Sequence, residues 1–359
     1  MGEARRPPVW LPRLAALLAL VNLLAALAGG LQRLGSLPPA LQGVAHQALL
    51  QHGALMMAGF FATLIALERA VALRRGLYVP LLAGLGGAAH LHGLAPLGHA
   101  LWLASALGLL ALYAWAARHR GAALPLRVEA SGAAMLLLGH AAHALDQPAL
   151  ARWGWSLFLV LTIAGERREL TRLLPLSALA RRGFIALWLA LLALPLPLLW
   201  LWRPAVGDAA GWALLGLLAL WLLAYDLARR QWRLRSWAGH TALCLLVGYG
   251  WLALAALAGL SGQAVAWHLL WLGFVFAMVF GHAPIMLPAL AGLRPRHSRW
   301  ALAPLALMAA SLLLRAALPR WPAAAPWAGT GHVLALLGFA ALMAWCCRPL
   351  PRRGAGPRP

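Results

Sequence analysis

The chain contains no lysine, only eight acidic residues, and three cysteines among 359 residues. The cysteines, Cys244, Cys346 and Cys347, lack the spacing of a thiolate metal site and read as small apolar filler in or beside long apolar runs. No apolar run has a carboxylate at its centre, and none has an arginine stranded there. Proton- or ion-coupled carriers generally depend on such a buried charge, so their absence argues against that class. Nucleotide-binding glycine loops and nucleophile triads are also missing.

What is present is apolar. Hydrophobic residues make up 63% of the chain, charged residues 11%, and the mean hydropathy is +0.77. No ordinary soluble domain has this composition, so the sequence reads as an integral membrane protein whose main partner is the lipid bilayer. The formal charge of +22 does not indicate nucleic-acid binding, because the arginines are scattered through short connections instead of forming one basic face.

A short basic leader, residues 1–13, precedes the first apolar run at 14–31, which is too long for a signal-peptide core and lacks a convincing cleavage site. It reads as a retained span. Eleven more runs follow at 48–73, 79–97, 100–117, 128–145, 150–164, 183–202, 209–227, 240–260, 265–290, 300–318 and 329–345. The reading is therefore an all-α protein of twelve transmembrane helices, a single polytopic domain over 1–348 with a disordered basic tail at 349–359.

Orientation follows from the arginines. With both termini cytoplasmic, twenty-five fall inside and only five, Arg33, Arg152, Arg203, Arg315 and Arg320, fall outside. That asymmetry fits multi-pass insertion in a bacterial inner membrane. Similar stretches end the second and sixth runs, Thr63 to Arg69 and Thr162 to Arg167, and the tenth runs in the same direction. Together they suggest three four-helix units in approximate threefold repetition. Each Glu-Arg pair reads as a charge-neutralised helix end.

This topology sorts the histidines, placing nine of the thirteen in the outer half or at its boundary. An imidazole in apolar surroundings needs a hydrogen-bond partner or a metal. His52 lies inside the second run beside Gly53, and on a helix shares a face with Met56, Gly59 and Thr63 spanning roughly 60°. It is either a ligand or a packing histidine. His140 and His143 stand at i and i+3, the spacing of a helical metal chelate or of two wetted boundary histidines. His268 and His282 are fourteen residues apart, about 21 Å along one helix face. Pro284 should kink the helix beside His282 and free carbonyls there. His90, His92, His99 and His332 read as solvated residues of the outer boundary. The nineteen tryptophans read mostly as interfacial anchors.

Twelve spans, the stretch His52-Gly-Ala-Leu-Met-Met-Ala-Gly-Phe60 and the run from His268 to His282 together resemble the NnrS-type bacterial membrane proteins. These are haem- and copper-containing proteins linked to resistance to nitric oxide stress. A broader similarity is to the catalytic subunits of haem-copper oxidases, whose second and tenth helices carry low-spin haem ligands. The adjacent His-His pair and the His-Pro-Glu-Val-Tyr stretch of those oxidases are absent, which argues against oxygen reduction.

The resemblance implies haem b with His52 and His268 as axial ligands and copper as a possible second metal, His140, His143 and His282 being the candidate metal ligands. The implied role is redox chemistry or a response to a small gas such as nitric oxide, with that gas or a redox protein as partner. Whether the chain is an enzyme stays open, and no residue is assigned a catalytic role. The rival readings are a twelve-helix secondary transporter without a prosthetic group, and an assembly factor whose histidines hold no metal.

Overall fold

The computed structural model describes residues 10–43, 45–194, 204–291 and 293–348. The leader before Trp10 and the tail 349–359 lie outside these residues, as does the end of the seventh apolar run. Of the other runs, 79–97 crosses a turn at residues 92–94 and so joins the end of one helix to the start of the next, while the rest fall on helices apart from one or two end residues.

In chain order the long helices are α1 (Trp10–Arg33), α2 (His46–Leu73), α3 (Tyr78–Leu91), α4 (Ala95–Arg120), α5 (Leu124–Ala144) and α6 (Pro148–Leu170). Then come α7 (Ala178–Ala193), α8 (Pro204–Tyr225), α9 (Trp237–Leu260), α10 (residues 266–291), α11 (Ala303–Ala317) and α12 (Ala325–Cys346). Nine helices among the described residues, all of these but α3, α5 and α7, are long and apolar enough to cross a membrane, α11 together with the 3₁₀ turn Arg299–Leu302 that leads into it. By helix length and hydropathy this is a multi-pass membrane protein. The exceptions have local reasons. α3 is short at 14 residues, α7 borders undescribed residues, and α5 carries Arg127, Glu129 and two histidines.

Leucines such as Leu17, Leu20 and Leu24 on α1 and Leu254 and Leu257 on α9 stand exposed, as helices facing lipid require. The described non-helical pairing is one antiparallel contact of Arg294–Pro295 with Cys347–Arg348.

The chain forms two compact units, residues 1–211 and 212–359. In the first, α1 anchors α2 and α3 through a polar contact inside the apolar bundle. Asn22 of α1 is fully buried, and its Nδ2 donates to the Leu18 and Gly84 carbonyls at 2.8 and 3.0 Å. A methyl group on Gly87 would stand 1.8 Å from Asn22 Oδ1, so only glycine admits the asparagine there. α5 and α6 cross closely, a methyl on Gly154 lying 2.7 Å from the Gly139 Cα.

In the second unit, α9 joins α10 where Thr241 Oγ1 donates to the Gly281 carbonyl at 2.7 Å and His240 Nε2 donates to Phe280 O at 2.9 Å. α11 meets α12 where Ser311 Oγ lies 2.6 Å from His332 Nδ1.

Two helices are interrupted alike. α2 contains a π-helical stretch at Leu55–Phe61, and α10 contains one at Leu269–Val275, each seven residues long and each following a histidine closely. Wider π-turns are rare and concentrate at functional segments. α6 has no such stretch. In α10 the helix runs on through Pro284 to Ala291, and Phe280 O, which the missing Pro284 amide leaves without its helical partner, accepts from His240 Nε2 instead.

Candidate metal centre

The centre is built where two helical hairpins of the first unit end together. His90 is the penultimate residue of α3, and a tight turn follows in which Gly93 adopts a φ of +73°. That left-handed conformation suits glycine. α4 then begins with Pro96 in its first turn, where the missing amide proton costs nothing. His99 follows one turn in. The chain reversal thus sets His90 and His99 face to face, their ring centroids 4.8 Å apart.

α5 ends beside them. His143 lies in its last turn, with its ring centroid 5.1 Å from that of His99 and 5.6 Å from that of His90. One ring nitrogen from each of the three histidines lies within 4.8 Å of the other two. His90 is only 2% exposed, while His99 and His143 are half-buried.

The cluster has the polar deficit that a metal would correct. Both ring nitrogens of His90 and Nε2 of His143 are buried without a hydrogen-bond partner among the described residues. In a membrane interior such unsatisfied groups are expensive. A metal bonded at about 2.0–2.1 Å in tetrahedral geometry needs nitrogens about 3.4 Å apart. Side-chain rotation of about an ångström closes the present gap. The residues therefore fit a metal ion, and the group can hold one.

A wall of tryptophan surrounds the three rings. Trp102, fully buried, lies 4.2 Å from the His90 ring and stacks on His140 at 5.5 Å and 17°. Its Nε1 donates to the Ala83 carbonyl at 3.0 Å, which fixes the indole plane. Trp155 of α6 donates from Nε1 to Nδ1 of His140 at 3.1 Å. That bond occupies the Nδ1 lone pair and puts the proton of a neutral His140 on Nε2. His140 thus stands behind the three converging rings instead of joining them. Gly98 completes the cradle, since a methyl there would lie 2.5 Å from His90 Cδ2.

Of the histidines singled out from sequence, His143 belongs to the cluster and His140 supports it. His52 lies in α2, half-buried, with Nδ1 2.6 Å from the Ala26 carbonyl of α1 and its ring against Gly30. The face it was expected to share looks into protein, for Met56, Gly59 and Thr63 are all buried. His268 sits at the start of α10 in the second unit and lines a cavity there. His282 donates from Nδ1 to Met278 O in its own helix at 2.9 Å.

His90 and His332 correct the sequence reading, because both are buried and not solvated. His90 and His99 were missed as candidate ligands. The signal available was two histidines nine residues apart across a short Gly-containing turn, which a helical hairpin brings opposite each other.

The opposite ends of the same helices hold a different polar group. Arg69 of α2 is ion-paired to Glu129 of α5 at 2.5 Å, and its guanidinium lies over the Tyr113 ring of α4 at 5.1 Å. Arg69 thus reaches another helix, and not only its neighbour Glu68. Gly165 of α6 makes room for Glu129, since a methyl there would stand 2.5 Å from the Glu129 Cγ.

Residues 13–348 match the family described as Domain of unknown function (DUF8744). The chain belongs to this family. No curated protein matches the chain, and no solved structure does. The functional reading of this DUF8744 member therefore rests on its own side chains.

Proposed function

We propose that this is a twelve-span membrane metalloprotein, with both termini in the cytoplasm of a bacterium, whose His90, His99 and His143 hold copper at the outer side of the inner membrane. Its proposed role is redox chemistry or defence toward a small gas such as nitric oxide. The observation that supports it best is the convergence of three ring nitrogens from three helices within 4.8 Å, in a group that leaves buried nitrogens unpartnered.

The donor set favours copper. All three ligands are neutral imidazoles, and among the described residues no carboxylate or thiolate joins the group. Imidazole suits copper and zinc. Neutral donors leave the ion's charge uncompensated in a poorly polarisable setting, which penalises a divalent ion more than cuprous copper. Bound copper would supply a redox-active centre with a position open to a small molecule.

The chain's own residues do the rest. His90 is the buried floor, His99 and His143 are the half-buried rim, and Trp102 and Trp155 shield the flank from lipid and hold the imidazoles in place. The half-buried side provides access for a small ligand. The distribution of arginines supports an outer position for this end of α3 to α6.

A second reading, haem b with His52 as a ligand, draws on the orientation of that ring, whose Nδ1 donates to Ala26 O at 2.6 Å. The matching π-helical stretches of α2 and α10 favour a repeat relation between these helices.

The test is to load the detergent-purified protein with copper, oxidise the bound ion to the cupric state with ferricyanide, and record its electron paramagnetic resonance spectrum before and after nitric oxide. The expected result is nitrogen hyperfine structure that changes reversibly with the gas and is lost in His143→Ala. A copper signal without histidine nitrogens, or one indifferent to nitric oxide and to His143→Ala, would overturn the proposal.

A further inference from the structure

The second unit contains an uncompensated cationic cavity. A space of about 640 Å³ is bordered by Gln263 and His268 at the start of α10 and by Arg315, Leu318, Pro319 and Arg320 at the end of α11. Arg315 is half-buried and Arg320 is exposed at the rim. Neither side chain has an ion pair or hydrogen bond among the described residues.

The sequence explains why no partner is close by. Of the eight acidic residues, only Asp226 lies beyond position 211. Its carboxylate is already engaged, Oδ1 accepting from the Ala228 amide at 2.7 Å and Oδ2 from the Tyr249 hydroxyl at 3.1 Å. Arg315 is in the last turn of α11, where the helix dipole supplies only about half a negative charge. That does not neutralise two guanidiniums.

A half-buried arginine in a membrane helix is costly unless something pairs with it. These are also two of only five arginines that the charge pattern places outside, so topology does not account for them. A guanidinium offers a planar set of donors matched to phosphate and carboxylate oxygens. Apolar Val265 and Leu318 on the same wall suit a ligand with a hydrocarbon part.

We propose that this cavity binds a phosphate-bearing anion through Arg315 and Arg320, with Gln263 as a further polar contact. The chemistry is shared by an anionic phospholipid headgroup and by a free phosphate. The site is built from residues of the second unit alone and does not depend on the metal.

The full chain, purified in a neutral detergent, is titrated with phosphatidylglycerol, with phosphatidylcholine and with inorganic phosphate, and binding is followed by native mass spectrometry and by the shift in Tm. Phosphatidylglycerol is expected to bind and raise the Tm, with an affinity about tenfold lower in Arg315→Gln. Arg315→Lys should retain part of the binding. If inorganic phosphate reproduces the shift, the site takes a soluble anion; if only phosphatidylglycerol does, it takes a headgroup. Both outcomes support the proposal. Should Arg315→Gln fail to fold, Arg320→Gln at the rim carries the same comparison. Binding of neither probe, or equal binding of phosphatidylglycerol by wild type and the arginine variants, would overturn it.

Discussion

The two ends of the α2 to α6 bundle resolve the same problem in opposite ways. At one end Arg69, Tyr113 and Glu129 answer one another: charge meets charge, and the guanidinium lies over an aromatic face. At the other, His90, His99 and His143 converge with buried nitrogens that no group among the described residues satisfies. Polar groups in a membrane protein must be paired, and pairing can be internal or can come from a ligand. The internally paired end reads as structural. The unsatisfied end reads as a site.

That contrast predicts different responses to mutation. The largest effect belongs to the paired end, where removing one partner leaves a buried charge alone. Arg69→Leu or Glu129→Leu is expected to cost about 3–5 kcal/mol of stability, seen as a large fall in Tm in detergent. The double variant Arg69→Met/Glu129→Leu should recover much of it. If single and double variants are equally unstable, the pair is not the organising contact of that end.

At the histidine end a change should act on metal affinity and little on folding. Gly98→Ala places a methyl against the His90 ring and should weaken copper binding roughly tenfold, as disturbing a ligand's support does elsewhere. Competition with a chromogenic chelator would measure it. Unchanged affinity would show that His90 is not held as described.

The smallest effect is expected at His92, two residues from His90. It is exposed, and its Nδ1 donates to Ala88 O of its own helix at 2.9 Å. His92→Ala should leave metal affinity within about twofold of wild type, since an exposed side chain away from such features contributes little. A loss comparable to that in Gly98→Ala would move the centre toward the turn.

Much of the fold was legible because membrane helices announce themselves locally. Apolar runs of spanning length, separated by arginines, marked the helices, since each segment must satisfy its own backbone. His140 and His143 were legible as a pair because i and i+3 share a helix face in any helix. His90 and His99 were not, because their meeting depends on the Gly93 turn, and their meeting with His143 depends on how α3 and α4 pack on α5. The π-helical stretches were invisible too. The expected face of His52 assumed a uniform α-helix, while residues 55–61 wind more widely as they pack against Asn22 of α1. Burial at the outer boundary also escaped the sequence, which places His90 and His332 by depth and cannot show which side of a helix is covered.

The central claim is that the three converging imidazoles bind a metal, and elemental analysis tests it most directly. Wild-type protein and the His90→Ala/His99→Ala/His143→Ala variant would be purified from copper- and zinc-supplemented cells, matched for Tm and size-exclusion profile, and assayed by mass spectrometry for metals. The account predicts about one metal ion per wild-type chain, with copper in excess of zinc, and about none in the variant. Equal metal content in the two proteins, or wild-type protein that takes up neither metal, would contradict it.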